Sequence, residues 1–325
     1  MVGAAAKTVP MQQTRKHPVI IGIVGDSGAG KSTMAAGLAE VLGIERTLII
    51  CMDDYIKHDR RRRAELGVTA HNPAGNHIDI LEQHVGLLRD GQPILKPVYN
   101  HQGGTLEPPE YVVPRQFIIL EGLLGYSTPS LRDAYDLKIF LDPREQLRLR
   151  WKFQRDTTQG GYTVEQVMAS LDRLNRDSVS NVLPQRGYAD LVVNFYPPDD
   201  KPDEIASPLN VRHLLRPTLP QIDLTTLLEL SPPRGLEMEL ARDVDGRPAD
   251  ALHIYGEIVG ADSAAIEAHL WRSVANGSRD PSQPFPRLGA FCDGRSTVQH
   301  SPSLALSQLL LTQYLLTAAL GTYAN

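Results

Sequence analysis

The chain has 325 residues, a formal net charge of -5 and two cysteines. This length fits two domains, or one α/β domain with an extension, and the acidic balance gives no sign of a nucleic-acid-binding protein. Two cysteines make no disulfide framework, which favours a reducing, cytoplasmic compartment. Residues 1–17 lack the apolar core of a signal peptide and are interpreted as a flexible N-terminal leader.

Five short runs of β-branched or aliphatic residues predict the strands of a parallel sheet. Near-continuous apolar runs of this length are typical of strands that are covered on both faces. Helical patterns separate several of them, and alternation of strand and helix favours a doubly wound α/β fold. The predicted strands cover residues 19–24, 47–52, 117–120, 137–141 and 190–196, and the predicted helices cover 31–42, 77–89, 143–158 and 163–175.

The pattern of apolar and polar residues changes at Pro197-Pro198-Asp199-Asp200, which divides the chain. Residues 18–200 form the predicted nucleotide-binding core, with a largely parallel, mixed sheet. Residues 201–325 form a predicted C-terminal α+β extension that packs on this core. The extension carries its own strand and helix signals.

Within the extension, residues 236–256 alternate in polarity around Asp245-Gly246, which predicts a hairpin. Helical patterns follow at 263–272 and 303–320. The second of these is strongly apolar, but Ser, Thr and Gln interrupt it. It is therefore interpreted as a buried or interface helix rather than a membrane span, and no membrane partner is predicted.

The motif G-x-x-x-x-G-K-[ST] stands between the first predicted strand and the first predicted helix, as "GDSGAGKS". Its glycines let the backbone wrap around a phosphate group, and the helix N-terminus adds positive dipole character. Lys31 is predicted to reach the β- and γ-phosphates of ATP, and Ser32 to ligate Mg²⁺. The alternative is a glycine-rich turn that matches by chance. The predicted ATP-binding residues are Gly25, Asp26, Ser27, Gly28, Ala29, Gly30, Lys31, Ser32 and Thr33.

Acidic residues stand at the ends of two predicted strands. Asp53 and Asp54 follow the second strand, and Glu121 ends the third. Carboxyl ends of parallel strands share the edge at which doubly wound sheets bind ligands. A kinase needs a base near the attacking hydroxyl and a carboxylate for the metal, so these acids are candidates for both. For Asp54 a turn cap is an equally good interpretation.

The predicted helix after Pro143 carries basic residues at spacings of four, four and three. They are Arg144, Arg148, Lys152 and Arg155, and they share one face. Such a face can neutralise phosphate charge beside a nucleotide. By itself the pattern favours an ordinary solvated amphipathic helix.

Further short sequence motifs follow one another in a characteristic order across residues 18–212. The chain resembles the phosphoribulokinase and uridine kinase family of P-loop kinases, and more closely its phosphoribulokinase branch. This resemblance implies a mixed-sheet α/β kinase, often dimeric, that transfers the γ-phosphoryl group of ATP to a hydroxyl of ribulose 5-phosphate with Mg²⁺. The matching words are "GDSGAGKST", "CMDDY", "HDRRRRAELGVTA", "KPVYNH", "EGLLG", "WKFQRDT", "LPQRGYADLVV" and "LNVR".

The resemblance also implies roles for the acids. Asp53 stands where the family has its catalytic base, and Glu121 stands at its acidic metal-site position. Asp156, in "QRD", matches a second carboxylate that is important for catalysis. With Lys31 and Arg155, Asp53 and Asp156 make up the predicted catalytic set, and Mg²⁺ is expected on Ser32 and Glu121.

The same resemblance implies the substrate-binding residues. Arg60 matches an arginine that binds the substrate phosphate, and Tyr99 and His101 match a substrate-facing stretch. Lys152 and Arg155 match the basic residues of a lid, which favours a functional interpretation of their helix. A sugar-phosphate substrate and a homodimer are therefore expected. Arg61 to Arg63 are interpreted as a solvated or loosely substrate-facing run, too local a patch to indicate nucleic-acid binding.

Some positions depart from the family pattern. Ile56 replaces a usual histidine, Gly160 replaces an arginine associated with substrate binding, and Leu174-Asn175 replaces a basic, proline-containing stretch. A phosphoribulokinase with a variant pocket remains the main hypothesis. The alternatives are a paralogous kinase for another sugar phosphate, glycerate or a nucleoside, and a non-catalytic nucleotide-binding regulator.

The cysteine pattern bears on regulation. Plant-type members are switched by a disulfide between the phosphate loop and the position of Cys51, but the partner position here is Ala29. That disulfide is therefore not expected, and Cys51 is interpreted as a buried strand residue.

Overall fold

The computed structural model defines most of the chain, and the predicted leader lies almost wholly outside it. The described residues are 17–158, 161–206, 208–258, 261–274, 285–292 and 297–321.

Helices and strands alternate through the first half of the chain, and strands dominate the middle of the second half. The helices are α1 (Lys31–Leu42), α2 (Arg60–Leu66), α3 (Ile78–Arg89), α4 (Pro129–Asp133), α5 (Glu145–Thr158), α6 (Val164–Asp177), α7 (Thr225–Leu230), α8 (Ala261–Val274) and α9 (Pro302–Gly321). The strands are β1 (Val19–Gly25), β2 (Thr47–Cys51), β3 (Ile94–Asn100), β4 (Thr105–Val112), β5 (Phe117–Gly122), β6 (Leu137–Leu141), β7 (Leu191–Tyr196), β8 (Asn210–Leu215), β9 (Leu236–Arg242), β10 (Pro248–Ile254), β11 (Ala290–Cys292) and β12 (Val298–His300).

One eight-stranded sheet organises the fold, in the order β2-β5-β1-β6-β7-β8-β10-β9. The first five strands are parallel to one another, and β8, β10 and β9 continue the sheet in antiparallel fashion. The predicted α/β class with a largely parallel, mixed sheet is confirmed. Strands that follow residue 200 thus extend the same sheet as the strands that precede it.

The central strands are buried on both faces because helices cover both sides of the sheet. Alternate residues of β1 point to opposite faces. Ile21 and Ile23 pack in a core that includes α1 and α9, and Ile20 and Val24 pack in a second core that includes α3. All residues of β1 are buried, as the near-continuous apolar run predicts.

The predicted strands and helices are confirmed, with ends that differ by one or two residues in most cases. Asp245-Gly246 lies in the turn between β9 and β10, as predicted. The sequence interpretation missed α2, α4, α7, the β3–β4 hairpin, β8, β11 and β12. These elements are short or carry mixed polar and apolar residues, so their periodicity is weak.

The C-terminal helix α9 is a core helix. Gln308 donates to the Thr33 carbonyl oxygen at 3.2 Å, which fastens α9 to the start of α1, and accepts from the Gly289 amide, just before β11, at 2.7 Å. Ser307 and Thr312 are also fully buried. No helix in the described ranges is long and apolar enough to cross a membrane.

Candidate active site

A cleft of about 1440 Å³ opens at the carboxyl ends of the parallel strands. The predicted ATP-binding, catalytic, substrate-binding and metal-binding residues line this cleft, except Gly25 and Asp26. Three further candidates, Asp54, Arg144 and Arg148, do not line it. Parts of α2, α5 and α6 and two C-terminal stretches, around residues 286–292 and 298–304, complete its wall. The C-terminal lining was not predicted, because nothing local in those residues signals that they fold back over the phosphate loop.

The phosphate loop is held by glycines in the left-handed region. Gly28 and Gly30 have φ angles of 84° and 89°. A Cβ atom on Gly28 would come within 2.8 Å of the Lys152 Cβ, so this glycine also permits the close approach of α5. Lys31 is nearly buried, and its Nζ donates to the carbonyl oxygens of Gly25 and Asp26 at 3.1 and 3.2 Å.

Ser32 and Glu121 form an oxygen pair beside this loop. The Ser32 hydroxyl donates to Glu121 Oε1 at 2.9 Å. Burial raises the pKa of the Glu121 carboxyl, although the neighbouring Lys31 opposes this shift. Hydroxyl and carboxylate oxygens are ligands that Mg²⁺ prefers. The pair therefore fits the predicted metal site, since its two side chains present oxygen donors beside the phosphate loop.

The adjacent acids Asp53 and Asp54 face different surroundings. They lie in a short 3₁₀ turn, Met52–Tyr55, where successive side chains point in different directions. Asp53 lines the cleft, and its Oδ1 accepts from the Leu123 amide at 2.9 Å.

Asp54 turns toward the β3–β4 hairpin instead. Its Oδ2 lies 2.5 Å from Lys96 Nζ, and its Oδ1 lies 3.4 Å from His101 Nε2. Burial raises the pKa of the Asp54 carboxyl, but the hydrogen bonds from His101 and Lys96 outweigh burial and leave the pKa below its ordinary value. Asp54 therefore anchors the hairpin to the end of β2.

The basic face of α5 packs against the phosphate loop. Arg148 and Lys152 are buried, so a solvated amphipathic helix is the wrong interpretation for them. Arg148 Nη1 donates to the Ser27 carbonyl at 2.9 Å, and Arg155 Nη2 donates to the Ser27 hydroxyl at 3.0 Å. Asp156 lies 2.5 Å from Lys152 Nζ and 2.7 Å from Arg155 Nη2. These four charged groups thus form one network beside the loop.

The charged groups of this network shift one another's pKa values. Burial lowers the pKa of the Lys152 ammonium, although Asp156 opposes this effect. Burial raises the pKa of the Asp156 carboxyl, but Arg155 and Lys152 outweigh it, and the net pKa is lowered. Asp156 therefore stays ionised and holds both basic side chains in place.

Asp26 is turned away from the cleft. Its carboxylate lies 2.8 Å from His71 Nε2 and 3.2 Å from Arg148 Nη1, and it accepts from the Ser178 hydroxyl at 2.6 Å. Burial raises its pKa, but His71 and these other partners bring the pKa well below its ordinary value. His71 lines the cleft and was missed, since a lone histidine carries no sequence signal for this contact.

Two arginines of α2 line the cleft and rest on aromatic rings. Arg60 Nη2 donates to the His101 carbonyl at 2.7 Å, and its guanidinium lies 4.2 Å from the Tyr162 ring centre. Arg63 Nη2 donates to the Tyr99 hydroxyl at 2.6 Å, over the same ring. The Nε atoms of both arginines are covered and have no acceptor among the residues that the structure describes.

The rest of the arginine run behaves differently. Arg61 and Arg62 pair with Glu65 on the surface, as expected for a solvated run. Within the described part of the chain, no carboxylate lies within salt-bridge distance of Arg60 or Arg63. The cleft wall thus carries two positive charges that no carboxylate of the described residues neutralises.

The positions that depart from the family pattern also border this region. Ile56 is 3% exposed, lines the cleft and pairs with Asn76 through an isolated bridge. Leu174 and the neighbouring Arg173 line the cleft as well, whereas Asn175 is exposed. Gly160 lies outside the described residues.

The two cysteines are free. Cys51 ends β2 and is half-buried, and Cys292 is exposed, and both line the cleft. Cys51 is therefore less enclosed than a core strand residue.

Residues 20–201 match the sequence model of the Phosphoribulokinase / Uridine kinase family, and the chain belongs to this family. It is 39% identical over 194 residues to a phosphoribulokinase of Synechocystis sp., covering 60% of this chain and 58% of that protein. It is 33% identical over 216 residues to the chloroplastic phosphoribulokinase of Triticum aestivum, and this match covers 61% of this chain and 54% of that protein. The chain thus matches between half and three fifths of the length of these relatives.

A solved phosphoribulokinase from Rhodobacter spheroides shares the fold. The TM-score is 0.57 at 20% sequence identity, and the match covers 80% of this chain and 97% of that one. The structural likeness therefore extends beyond the residues that match in sequence, into the C-terminal part of the chain.

Proposed function

We propose that this chain is an ATP-dependent kinase that phosphorylates a hydroxyl of a pentose phosphate, most specifically D-ribulose 5-phosphate, to give ribulose 1,5-bisphosphate. The observation that carries the proposal is a single cleft lined by the phosphate loop, by Asp53 and by two unneutralised arginines. The relatives named phosphoribulokinase support the same acceptor.

The nucleotide side of the proposed reaction uses the phosphate loop. Lys31 would leave the loop carbonyls and bind the β- and γ-phosphates, and Ser32 and Glu121 would hold Mg²⁺. When bound, Mg²⁺ neutralises charge on the phosphate oxygens. Lys152 and Arg155 are held beside the loop by Asp156, so they can stabilise the transferring phosphoryl group without a large rearrangement.

On the acceptor side, Asp53 would take the hydroxyl proton. Its Oδ1 is held by the Leu123 amide, which leaves Oδ2 as the acceptor atom. The group that accepts the proton is then already oriented before the acceptor binds, which lowers the entropic part of the barrier.

The phosphate of the acceptor would bind to Arg60 and Arg63. Guanidinium groups suit a phosphate dianion because their donors form paired hydrogen bonds. Both arginines are preoriented by an aromatic ring, and both keep an Nε donor that meets no acceptor in the described part of the chain. Arg63 would thus supply a contact that compensates for the arginine that the family places at Gly160.

The acceptor screen is the direct test. Purified protein is given ATP, Mg²⁺ and in turn ribulose 5-phosphate, ribose 5-phosphate, uridine and glycerate, and ADP and the phosphorylated product are measured. We expect turnover on ribulose 5-phosphate, lost in Lys31→Met.

Other results of the screen would point to the competing functions. Preferred turnover of another acceptor would favour the paralogous kinase, which the apolar Ile56 in the cleft wall makes a specific alternative. ATP binding without ADP formation on any acceptor would contradict the kinase and favour the regulator.

We propose in addition that the chain forms a homodimer in the cytoplasm. The edge strand β9 supports the first point, because it has no neighbour on one side within the described sheet and its Leu240 side chain is 92% exposed. Free cysteines fit a reducing compartment. Sedimentation equilibrium tests the dimer, and a monomer at micromolar concentration would contradict it.

A further inference from the structure

Three side chains beside Asp53 gather donor atoms that suit a transition metal. A Cys51 sulfur, an Asp54 carboxylate oxygen and a His101 ring nitrogen all lie within 4.8 Å of one another. Cys51 ends β2, Asp54 lies in the 3₁₀ turn that follows, and His101 follows β3. The cluster thus joins the sheet to the β3–β4 hairpin.

The spacing of the nitrogen and oxygen ligands fits tetrahedral coordination. Nitrogen and oxygen ligands lie about 2.0–2.2 Å from zinc, so two of them in a tetrahedral site are about 3.3–3.6 Å apart. His101 Nε2 and Asp54 Oδ1 are separated by 3.4 Å. The ion pair with Lys96 uses the other carboxylate oxygen, Oδ2, so the two proposed ligand atoms face each other without Lys96 between them.

The local charge favours a cation. The carboxylates of Asp53, Asp54 and Glu121 all act on Cys51 electrostatically. A metal ion at the cluster would face these acids on one side and Lys96 on the other. Thiolate, imidazole and carboxylate together form a ligand set typical of Zn²⁺, and the set leaves a fourth position open.

We propose that Cys51, Asp54 and His101 bind Zn²⁺, and that the zinc-bound protein is an inhibited form. Binding replaces the thiol proton, which passes to solvent, by a sulfur–zinc bond, and the imidazole ligates through an unprotonated Nε2 while it carries its proton on Nδ1. The ion then occupies His101 Nε2, so that this nitrogen cannot contact the acceptor, and the ion lies next to Asp53. The binding is independent of the proposed kinase function, whereas the inhibition depends on it.

Direct titration tests the binding. Metal-free full-length protein competes for Zn²⁺ with a chromophoric chelator, and Co²⁺ is added separately to record the sulfur-to-cobalt charge-transfer band. We expect one zinc per chain and a cobalt band. In Cys51→Ala the band should vanish and the zinc affinity should fall by at least about tenfold, since even groups that only support a ligand contribute that much.

The second cysteine supplies the matched control. Cys292→Ala removes the other thiol of the cleft and should bind Zn²⁺ like the unmodified chain. His101→Asn, which changes an exposed side chain, should weaken binding as Cys51→Ala does. Unchanged affinity in Cys51→Ala, or a loss that follows Cys292→Ala instead, would overturn the proposal. Circular dichroism verifies that each variant is folded.

Kinetics test the inhibition. Zn²⁺ added at saturating Mg²⁺–ATP should raise the apparent KM for ribulose 5-phosphate, and a chelator should reverse the effect. Cys51→Ala should resist the same zinc concentrations. Equal inhibition of both proteins would contradict the inhibitory role. A chain that shows no kinase activity at all would refute the proposed function while the titration still decides the zinc site.

Discussion

Asp53→Asn and Asp54→Asn replace neighbouring carboxylates by amides of the same shape, and we expect them to damage different properties. Asp53 faces the cleft, and its side chain accepts a hydrogen bond from the Leu123 amide. Asparagine at this position keeps an oxygen for that bond but cannot take a proton. Asp53→Asn should therefore leave the fold unchanged and lower kcat by about 10²- to 10⁴-fold, the usual contribution of a general base.

Asp54→Asn removes one partner of a nearly buried ion pair. The side chains of Asp54 and Lys96 are 13% and 6% exposed, and loss of one charge from a fully buried pair costs about 3–5 kcal/mol. Lys96 keeps Glu110 at 3.0 Å and the Pro97 carbonyl at 3.1 Å, which reduces this cost. We therefore expect the free energy of unfolding to fall by about 2 kcal/mol.

Two measurements separate the variants. Urea unfolding followed by fluorescence gives the free energy of unfolding, and a coupled assay with ATP and the preferred acceptor gives kcat. An Asp53→Asn protein that turns over within about tenfold of the unmodified chain would refute Asp53 as the base. An Asp54→Asn protein of unchanged stability would refute the anchoring role of the ion pair.

A Cβ on Gly37 would overlap the Gln308 side chain of α9, so Gly37→Ala should lower the free energy of unfolding by about 2–3 kcal/mol. A Cβ on Gly86 meets nothing within 4 Å, so Gly86→Ala should raise the free energy of unfolding by about 0.5 kcal/mol. Equal urea midpoints for the two variants would contradict this prediction. Arg63→Gln should raise KM for ribulose 5-phosphate by about ten- to a hundredfold and leave KM for ATP unchanged. The control variant Arg61→Gln should alter neither KM. An unchanged KM for ribulose 5-phosphate in Arg63→Gln would refute the phosphate contact. Burial lowers the pKa of His213 from 6.5 to about 3, so the unfolded chain binds a proton that the folded chain does not. Stability should thus decline by about 1.4 kcal/mol per pH unit as the pH falls from 6.5 toward 4, and a flat profile in this range would contradict the buried neutral imidazole.

Local sequence was sufficient for much of the site. The phosphate loop was predictable because its glycines and Lys31 act through backbone geometry within eight residues. Asp53 and Glu121 were predictable because acids at the ends of parallel strands meet at one edge of a sheet. Both follow from short-range pattern and from the rules of strand connection.

Other contacts depend on residues far apart in the chain. Asp26 meets His71 across 45 positions and Ser178 across 152 positions, and neither partner carries a distinctive local pattern. The separate orientations of Asp53 and Asp54 also follow from where the Leu123 amide and Lys96 lie. These contacts and orientations form only when the β3–β4 hairpin and α6 have packed around the strand ends.

The sequence by itself determined the five parallel strands, most of the longer helices, the phosphate loop and the acids at its edge, because each depends on periodicity or on a motif a few residues long. Only the tertiary structure decided that α5 turns its basic face to the loop, that Arg63 joins Arg60 in the cleft, and that α9 is fastened to α1 through Gln308. These contacts depend on burial and on pairing between segments far apart in the chain, and the local conformational preference of one segment does not specify its distant partner.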